Sequence, residues 1–293
     1  MRKIYTLFAA ALLATTSFVS CNDEDGKADT SFAASVSAST NPQDKNALVE
    51  HFTGINSEEC AYGHRVLNGL MVTHPGKVFC INIHTGFYAN GNYTTEFGTE
   101  LENQSNYTML PAGTVNRHVF DAYAMDTVNR GTAIPISYFA NACDIIMSQS
   151  SDANLDARAI IDRETRELSV AVAVYYPIQD TNDTVMLDKL NVALLEDSIW
   201  GHQEGASTHN PTQYDFNTGK YCHMHMLRHF VTGQWGDDII PVVGRQIRRV
   251  YKYTIPQQIS GVDVNLDHLK VVVFLAKGKQ EIVTACEARM EVN

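Results

Sequence analysis

Basic side chains are scarce and scattered in this 293-residue sequence: 22 Lys and Arg stand against 33 Asp and Glu, a formal charge of −11. No basic run is longer than the pair Arg248-Arg249. Phosphate backbones are held by clustered cations, so nucleic acid is excluded as a partner. Cysteine is sparse too. The six thiols lie far apart, which gives neither a zinc-ligand spacing nor a small-protein disulfide framework. There is no Gly-x-Ser-x-Gly elbow, no glycine loop to cradle phosphate and no His-Glu-x-x-His pair. No stretch recurs closely enough for a solenoid or propeller. The longest apolar run, Tyr5 to Val19, falls short of the roughly 20 residues a membrane helix needs.

What is present at the amino terminus is a targeting pattern. Arg2 and Lys3 precede the apolar run, which closes in Ser-Phe-Val-Ser before Cys21. An ordinary secretory signal would end in Ala-x-Ala; this one resembles a bacterial lipobox. The expectation is therefore a lipoprotein signal peptide over 1–20, with acyl chains such as palmitate carried on Cys21. Two or three chains would hold the protein to a bilayer, whereas one binds only marginally. The following stretch, 21–45, opens on Asn-Asp-Glu-Asp and is rich in Ser, Ala and Thr. That composition predicts a flexible tether. The acidic cluster behind Cys21 resembles the surface-export signal of Bacteroidota lipoproteins; a solvated linker would look the same. With Cys21 acylated, five thiols remain, an odd number that leaves at least one unbridged. Cys80 and Cys143 sit in apolar segments and read as buried, inert thiols, while Cys222 and Cys286 could pair.

The mature chain divides by rhythm. Over 46–150 the order reads strand (Ala47–Phe52), helix (Glu59–His74) and strand (Lys77–His84), then a polar excursion from Gly86 to Thr108 without helical period. A short strand after Pro111 and a helix over Ile136–Gln149 close the unit. Strands alternating with helices predict an α/β layer. Over 151–293 short β-rich runs follow one another at 168–176, 189–195, 221–231, 246–255, 269–276 and 281–290, which predicts a β-sandwich.

The most specific local feature is ALVEHFTGINSEECAYGHRVLNGL, 47–70: a strand breaking at Thr53-Gly54, then a helix with Cys60 in its first turn. A thioredoxin-like domain presents its redox centre in this way. The segment LVEHFTG with Cys60 and Gly63-His64, the segment LPAGTVNR and the segment HMHMLRHFVTGQWG together resemble a family of Bacteroidota outer-membrane lipoproteins named after a 28 kDa outer-membrane protein. The resemblance implies a thioredoxin-like domain over 46–150, a β-rich domain over 151–293, and outer-membrane attachment with either face possible. Two departures bear on chemistry. Ser57 stands where the first cysteine of a Cys-x-x-Cys would be, and Ala61 where a proline would follow the second.

A thiolate at a helix amino terminus is stabilised by unpaired N–H groups, although Glu58 and Glu59 beside Cys60 oppose that. In a dithiol cycle one sulfur attacks and the other resolves, and the Ser57 hydroxyl cannot attack a disulfide. The scaffold is expected to be degenerate, with a binding or structural role and catalysis less favoured. The alternative is a monothiol oxidoreductase or thiol-dependent assembly factor using Cys60. By the resemblance Pro111 faces the redox turn, through either a cis Leu110–Pro111 bond or an ordinary trans proline at a strand start.

Other constellations are weaker. A strand over 221–231 would put His223, His225 and His229 on one face, where they could share a metal, although sheet-packing histidines fit better. Asp180, Asp183 and Asp188 could meet calcium but lack an EF-hand's glycine and terminal glutamate. Asp126-Thr127-Val128, Asp183-Thr184-Val185 and Asp197-Ser198-Ile199 resemble an O-glycosylation sequon of this bacterial group. No cofactor is implied. The expected partners are the outer membrane through the lipid anchor and an envelope protein or glycan meeting Tyr88, Tyr93 and the surroundings of Trp200 and Trp235.

Overall fold

The computed structural model describes residues 26–89, 91, 93–126, 128–177 and 187–293. The expected signal segment, Cys21, Thr127, and residues Asp180 and Asp183 with the Asp183-Thr184-Val185 sequon lie outside the described residues.

The chain opens with helix α1 (Gly26–Ala33) and strand β1 (Ala47–Thr53), followed by α2 (Glu58–Thr73), β2 (Val78–His84) and α3 (Gly98–Ser105). Strands β3 (Ala112–Val115) and β4 (Ala133–Pro135) and helix α4 (Phe139–Met147) come next. The β-rich half contains β5 (Asn154–Ile161), β6 (Glu167–Tyr175), β7 (Asp188–Glu196), β8 (Ile199–Gly201), the short α5 (Ala206–His209), β9 (Tyr214–Asp215), β10 (Lys220–His223), β11 (Met226–Phe230) and β12 (Asp237–Ile239). It ends with β13 (Gln246–Thr254), the ribbon β14 (Gln258–Ile259) and β15 (Val262–Asp263), β16 (Leu269–Lys277), β17 (Gln280–Glu287) and β18 (Arg289–Val292). The molecule is mixed α/β, mostly β, with several sheets.

The main sheet runs β17-β16-β7-β11-β2-β1-β3-β4, with β12 beside β7. Strands β1 and β2 are parallel, and β3 and β4 add antiparallel, the arrangement of a thioredoxin-like core. The continuity is unexpected. The two halves contribute to one sheet rather than to separate ones, because β11 aligns parallel to β2 and pairs antiparallel with β7.

Alternation along the strands sorts the apolar side chains to two faces. One face carries Leu48, Phe52, Ile81, Ile83, Leu195 and Phe274 beneath Phe97 and Leu101 of the α3 region. The other face is covered twice. At one end Val49, Cys80 and Val115 pack under Leu67 and Leu70 of α2 and Phe139 and Ile146 of α4. At the other, Leu190, Val192, Val271 and Val273 meet Ala157, Val170, Val172 and Val174 of a second sheet, β13-β6-β5-β18.

Residues 21–45, expected as a tether, are ordered where described. Besides α1, Val36 and Ala38 are buried against Ala171 and Ala173 of β6. The extended segment meets its backbone needs through side chains, Gln246 bonding both N–H and C=O of Ala38 and Arg248 reaching the Val36 carbonyl. All five described cysteines are free, so Cys222 and Cys286 are not bridged. They lie on different sheets, in β10 and β17. Burial raises the thiol pKa of Cys143 and Cys286 to about 12.

Candidate functional site

The strand-to-helix turn after β1 is built from backbone the sequence makes available only with glycine. A Cβ on Gly54 would stand 2.5 Å from the carbonyl carbon of Tyr88 and 2.6 Å from its oxygen. That close approach lets the Tyr88 carbonyl accept from Asn56 N–H at 3.0 Å. Ser57 then serves as N-cap of α2 in extended conformation, without a side-chain cap bond. Cys60 lies within the first turn, its N–H donating to the Ser57 carbonyl at 3.2 Å, and is fully buried. Leu110–Pro111 is a cis peptide at the start of β3.

The mouth of this turn is occupied by the chain itself. Gln203 Nε2 donates to the carbonyls of Ser57 (3.0 Å) and Gly54 (3.3 Å), and Glu204 N–H donates to the Ile55 carbonyl at 2.8 Å. Gly205, held at φ +67°, leaves no room for a side chain against Glu58, whose carboxylate lies 3.4 Å from His209 of α5. Residues 203–209 and the turn at Tyr88 thus cover the surface where a thiol exchanging with a substrate would have to be reached. Nothing in the sequence marks those residues as a cover.

Behind the turn lies a group of buried imidazoles. His51 Nδ1 bonds Asn82 at 2.8 Å, and its ring meets His64 edge-on at 5.2 Å. His64 spans from Thr53 Oγ1 (3.1 Å) to the Tyr221 hydroxyl (3.1 Å). His84 and His223 complete the set, 5.4 Å apart between ring centres. Desolvation holds His51 and His223 down to about 4. Burial, then the neighbouring imidazoles, hold His64 well below the usual range, and His84 follows the same causes. All four are therefore neutral at pH 7. Gly63 makes the packing possible, since a Cβ there would lie 2.7 Å from His51 Nε2 and 2.9 Å from Ile136. Nothing in the sequence singles out His51 or His84, and His64 stands out only within the Gly63-His64 of the motif.

The three histidines expected to share one face go three ways. Strand pairing stops at Met224-His225, where His225 takes φ +52° and breaks the alternation. His223 turns inward to the cluster, His225 pairs with Asp197 at 3.2 Å, and His229 stacks on Tyr253 at 4.2 Å. Among the described residues no three His, Cys, Asp or Glu side chains are grouped to hold a metal. Asp188, of the calcium reading, accepts from the buried Tyr176 hydroxyl at 2.8 Å. Of the sequons, Asp126 accepts turn bonds from Val128 and Asn129 N–H, and Ser198 is half-buried. The aromatics divide: Tyr88 and Trp200 are exposed, and the unanticipated Phe87 most of all at 92%. Tyr93 packs on His84 and His223, and the Trp235 ring is met by the Arg117 guanidinium and the Lys279 ammonium.

The remaining motif residues meet in one buried staple. Arg117 donates to Glu50 through Nε (2.7 Å) and Nη2 (2.6 Å), both side chains being essentially inaccessible. The guanidinium also lies over Trp235 and Phe274 and reaches the Gln234 carbonyl. Asn116 adds bonds to Leu48 N–H and to the carbonyls of Asn46 and Ile282. The segments LVEHFTG, LPAGTVNR and QWG are thereby tied into a structural joint.

Among solved structures the fold is similar to HBP35 of Porphyromonas gingivalis, at TM-score 0.63 and 12% identity over 85% of this chain and 76% of that one. A protein of Agrobacterium tumefaciens, AGR_C_4864, aligns over 84% of this chain and 95% of its own at 10% identity and TM-score 0.49, too distant to carry an argument. No curated protein matches the sequence. No described helix is long and apolar enough to cross a membrane. Residues 99–291 match the family model described as outer membrane protein Omp28, a span that takes in Pro111, the Asn116-Arg117 joint and the strands around His223 and begins after the redox-like turn. The chain belongs to the Omp28 outer membrane protein family.

Proposed function

We propose that this protein is a lipoprotein of the outer membrane, anchored through Cys21, whose thioredoxin-like half and β-sandwich half form a scaffold for binding or structural support rather than for thiol exchange. The observation that carries the reading is the closed turn. Ser57 replaces the attacking sulfur, Cys60 is fully buried, and Gln203 occupies the carbonyls at the mouth. A nucleophilic thiolate requires access as well as charge stabilisation, and this thiol has no access. Family membership supports the outer membrane. The exposed Phe87 and Tyr88, with Trp200, supply amphipathic rings of the kind that meet an envelope protein or a glycan.

Anchoring is tested by feeding cells an alkyne-tagged palmitate. The wild-type chain should incorporate label and Cys21→Ala should not; label retained in that variant refutes the anchor. The scaffold reading is tested by thiol alkylation of the native protein. Cys60 should label only on unfolding, and rapid labelling at neutral pH would refute it.

A further inference from the structure

A groove of about 710 Å³ runs between the carboxyl-terminal half of α2, the edge formed by β8 and β10, and the strands β2, β7 and β16. Its walls are largely apolar, with Met71, Val78, Leu195 and Trp200 among them, and it is separate from the sealed turn. Three donors open on it, two of them soft sulfurs: Cys222, Met224 and His225. Cys222 lies in β10 and Met224 just past its end, and both line the groove. His225 would ordinarily point to the other side. Its left-handed backbone, φ +52°, rotates it onto the same groove.

Each donor is arranged by a neighbour. The Cys222 thiol sulfur lies 3.8 Å from the Met224 thioether sulfur, and both residues are half-buried. Ser198 N–H donates to that thioether at 3.4 Å, fixing the orientation of the sulfur. His225 Nδ1 lies 3.2 Å from Asp197, so the carboxylate draws the ring proton to Nδ1 and leaves Nε2 as the basic nitrogen. A carboxylate behind a histidine is the usual outer support of a metal-binding imidazole. Two sulfurs bound at about 2.2–2.3 Å in a trigonal plane stand roughly 3.8–4.0 Å apart, the separation found here. Thiolate and thioether favour soft ions such as Cu(I) over calcium or magnesium.

We infer that Cys222 and Met224, with His225 as third donor, form a binding site for monovalent copper on the wall of this groove. Binding exchanges a proton for the metal: the Cys222 S–H bond breaks, a sulfur–copper bond forms, and the proton leaves to solvent. No electron is transferred, because the ion enters and remains as Cu(I). Because binding releases the thiol proton, affinity should rise with pH.

The test uses the full mature chain with Cys21→Ser, reduced and under argon, titrated with the Cu(I)–bicinchoninate complex. One equivalent should be withdrawn from the chelator, and X-ray absorption should report two sulfurs and one nitrogen near the metal. Cys222→Ser should lose at least 100-fold in affinity and Met224→Leu about tenfold, with thermal melts showing both variants folded. Cys286→Ser should bind as the parent does. Retention of copper by Cys222→Ser, equal loss in Cys286→Ser, or failure of the parent to compete with bicinchoninate would each overturn the assignment.

Discussion

Acid should unfold this protein well before its carboxylates are protonated. His51 and His223 titrate near 6.5 in an unfolded chain and about 4 in the folded one. Above pH 6.5 both states are neutral and the shift has no effect. As pH falls from 6.5 toward 4 the unfolded chain takes up protons that the native cluster refuses, so stability drops. A displacement from 6.5 to about 4 corresponds to roughly 3 kcal/mol for each of these two residues. His64 and His84 are displaced the same way, and His225 and His229 add to the effect. Four cluster imidazoles each taking up nearly one proton give a slope of about 5 kcal/mol per pH unit near pH 5. Total stabilities of domains are about 5–15 kcal/mol, so the native state should collapse within about two units of neutrality. Glu196, Asp237 and Glu287, whose carboxyls burial pushes up, take up protons in the folded state first and so oppose this in part. Urea titrations at intervals from pH 7.5 to 5 measure the slope directly. His223→Gln should reduce proton uptake on unfolding by about one. An unfolding free energy that stays level between pH 7 and 5 would refute the claim that these rings are buried and neutral.

Further tests follow from the same geometry. Arg117→Ala leaves the Glu50 carboxylate buried without its partner and should cost about 3–5 kcal/mol, whereas Glu50→Leu with Arg117→Met should be markedly less damaging; denaturant midpoints decide. Gly63→Ala forces a methyl into His51 and Ile136, so its melting temperature should fall by several degrees, while Gly69→Ala, which meets nothing, should be neutral or stabilising. Ser57→Cys restores the paired-sulfur spacing but not access, so insulin reduction should stay at background; turnover by this single variant would show that residues 203–209 do not seal the turn. Phe87→Ala with Tyr88→Ala should leave the melting temperature within about a degree, as expected for exposed side chains, and capture from envelope extracts should report lost partners.

The β1-α2-β2 unit was legible because its signals agree: an apolar run, a glycine break, then helical spacing, with bounds within a residue of those observed. The strands of β6, β7, β13 and β16 were equally plain. Helix α3 and strand β5 were among the hidden elements. Helix α3 buries only Gly98, Leu101 and Ser105 and so carries almost no apolar stripe. Strand β5 fills its inward positions with Ala157 and Ala159 while Asp156 and Arg158 pair outward, which mutes the alternation. The single run expected at 221–231 is two strands, because a left-handed His225 leaves no compositional trace. At the site, the sequence alone places Ser57 three residues before Cys60, where a first cysteine would stand. The cover over them was not legible, since Gln203 and Glu204 act through backbone carbonyls more than 140 residues away in sequence. Nor was the joining of both halves in one sheet, which depends on β11 lying beside β2.

That placement of β11 has a consequence for biogenesis. A chain synthesised amino terminus first completes β2 long before residues 226–230 exist to flank it. Until then the open edge at Val78–His84 can recruit any extended polypeptide nearby. Maturation should therefore be slow, dominated by distant pairings, and dependent on holding factors that shield the nascent amino-terminal half.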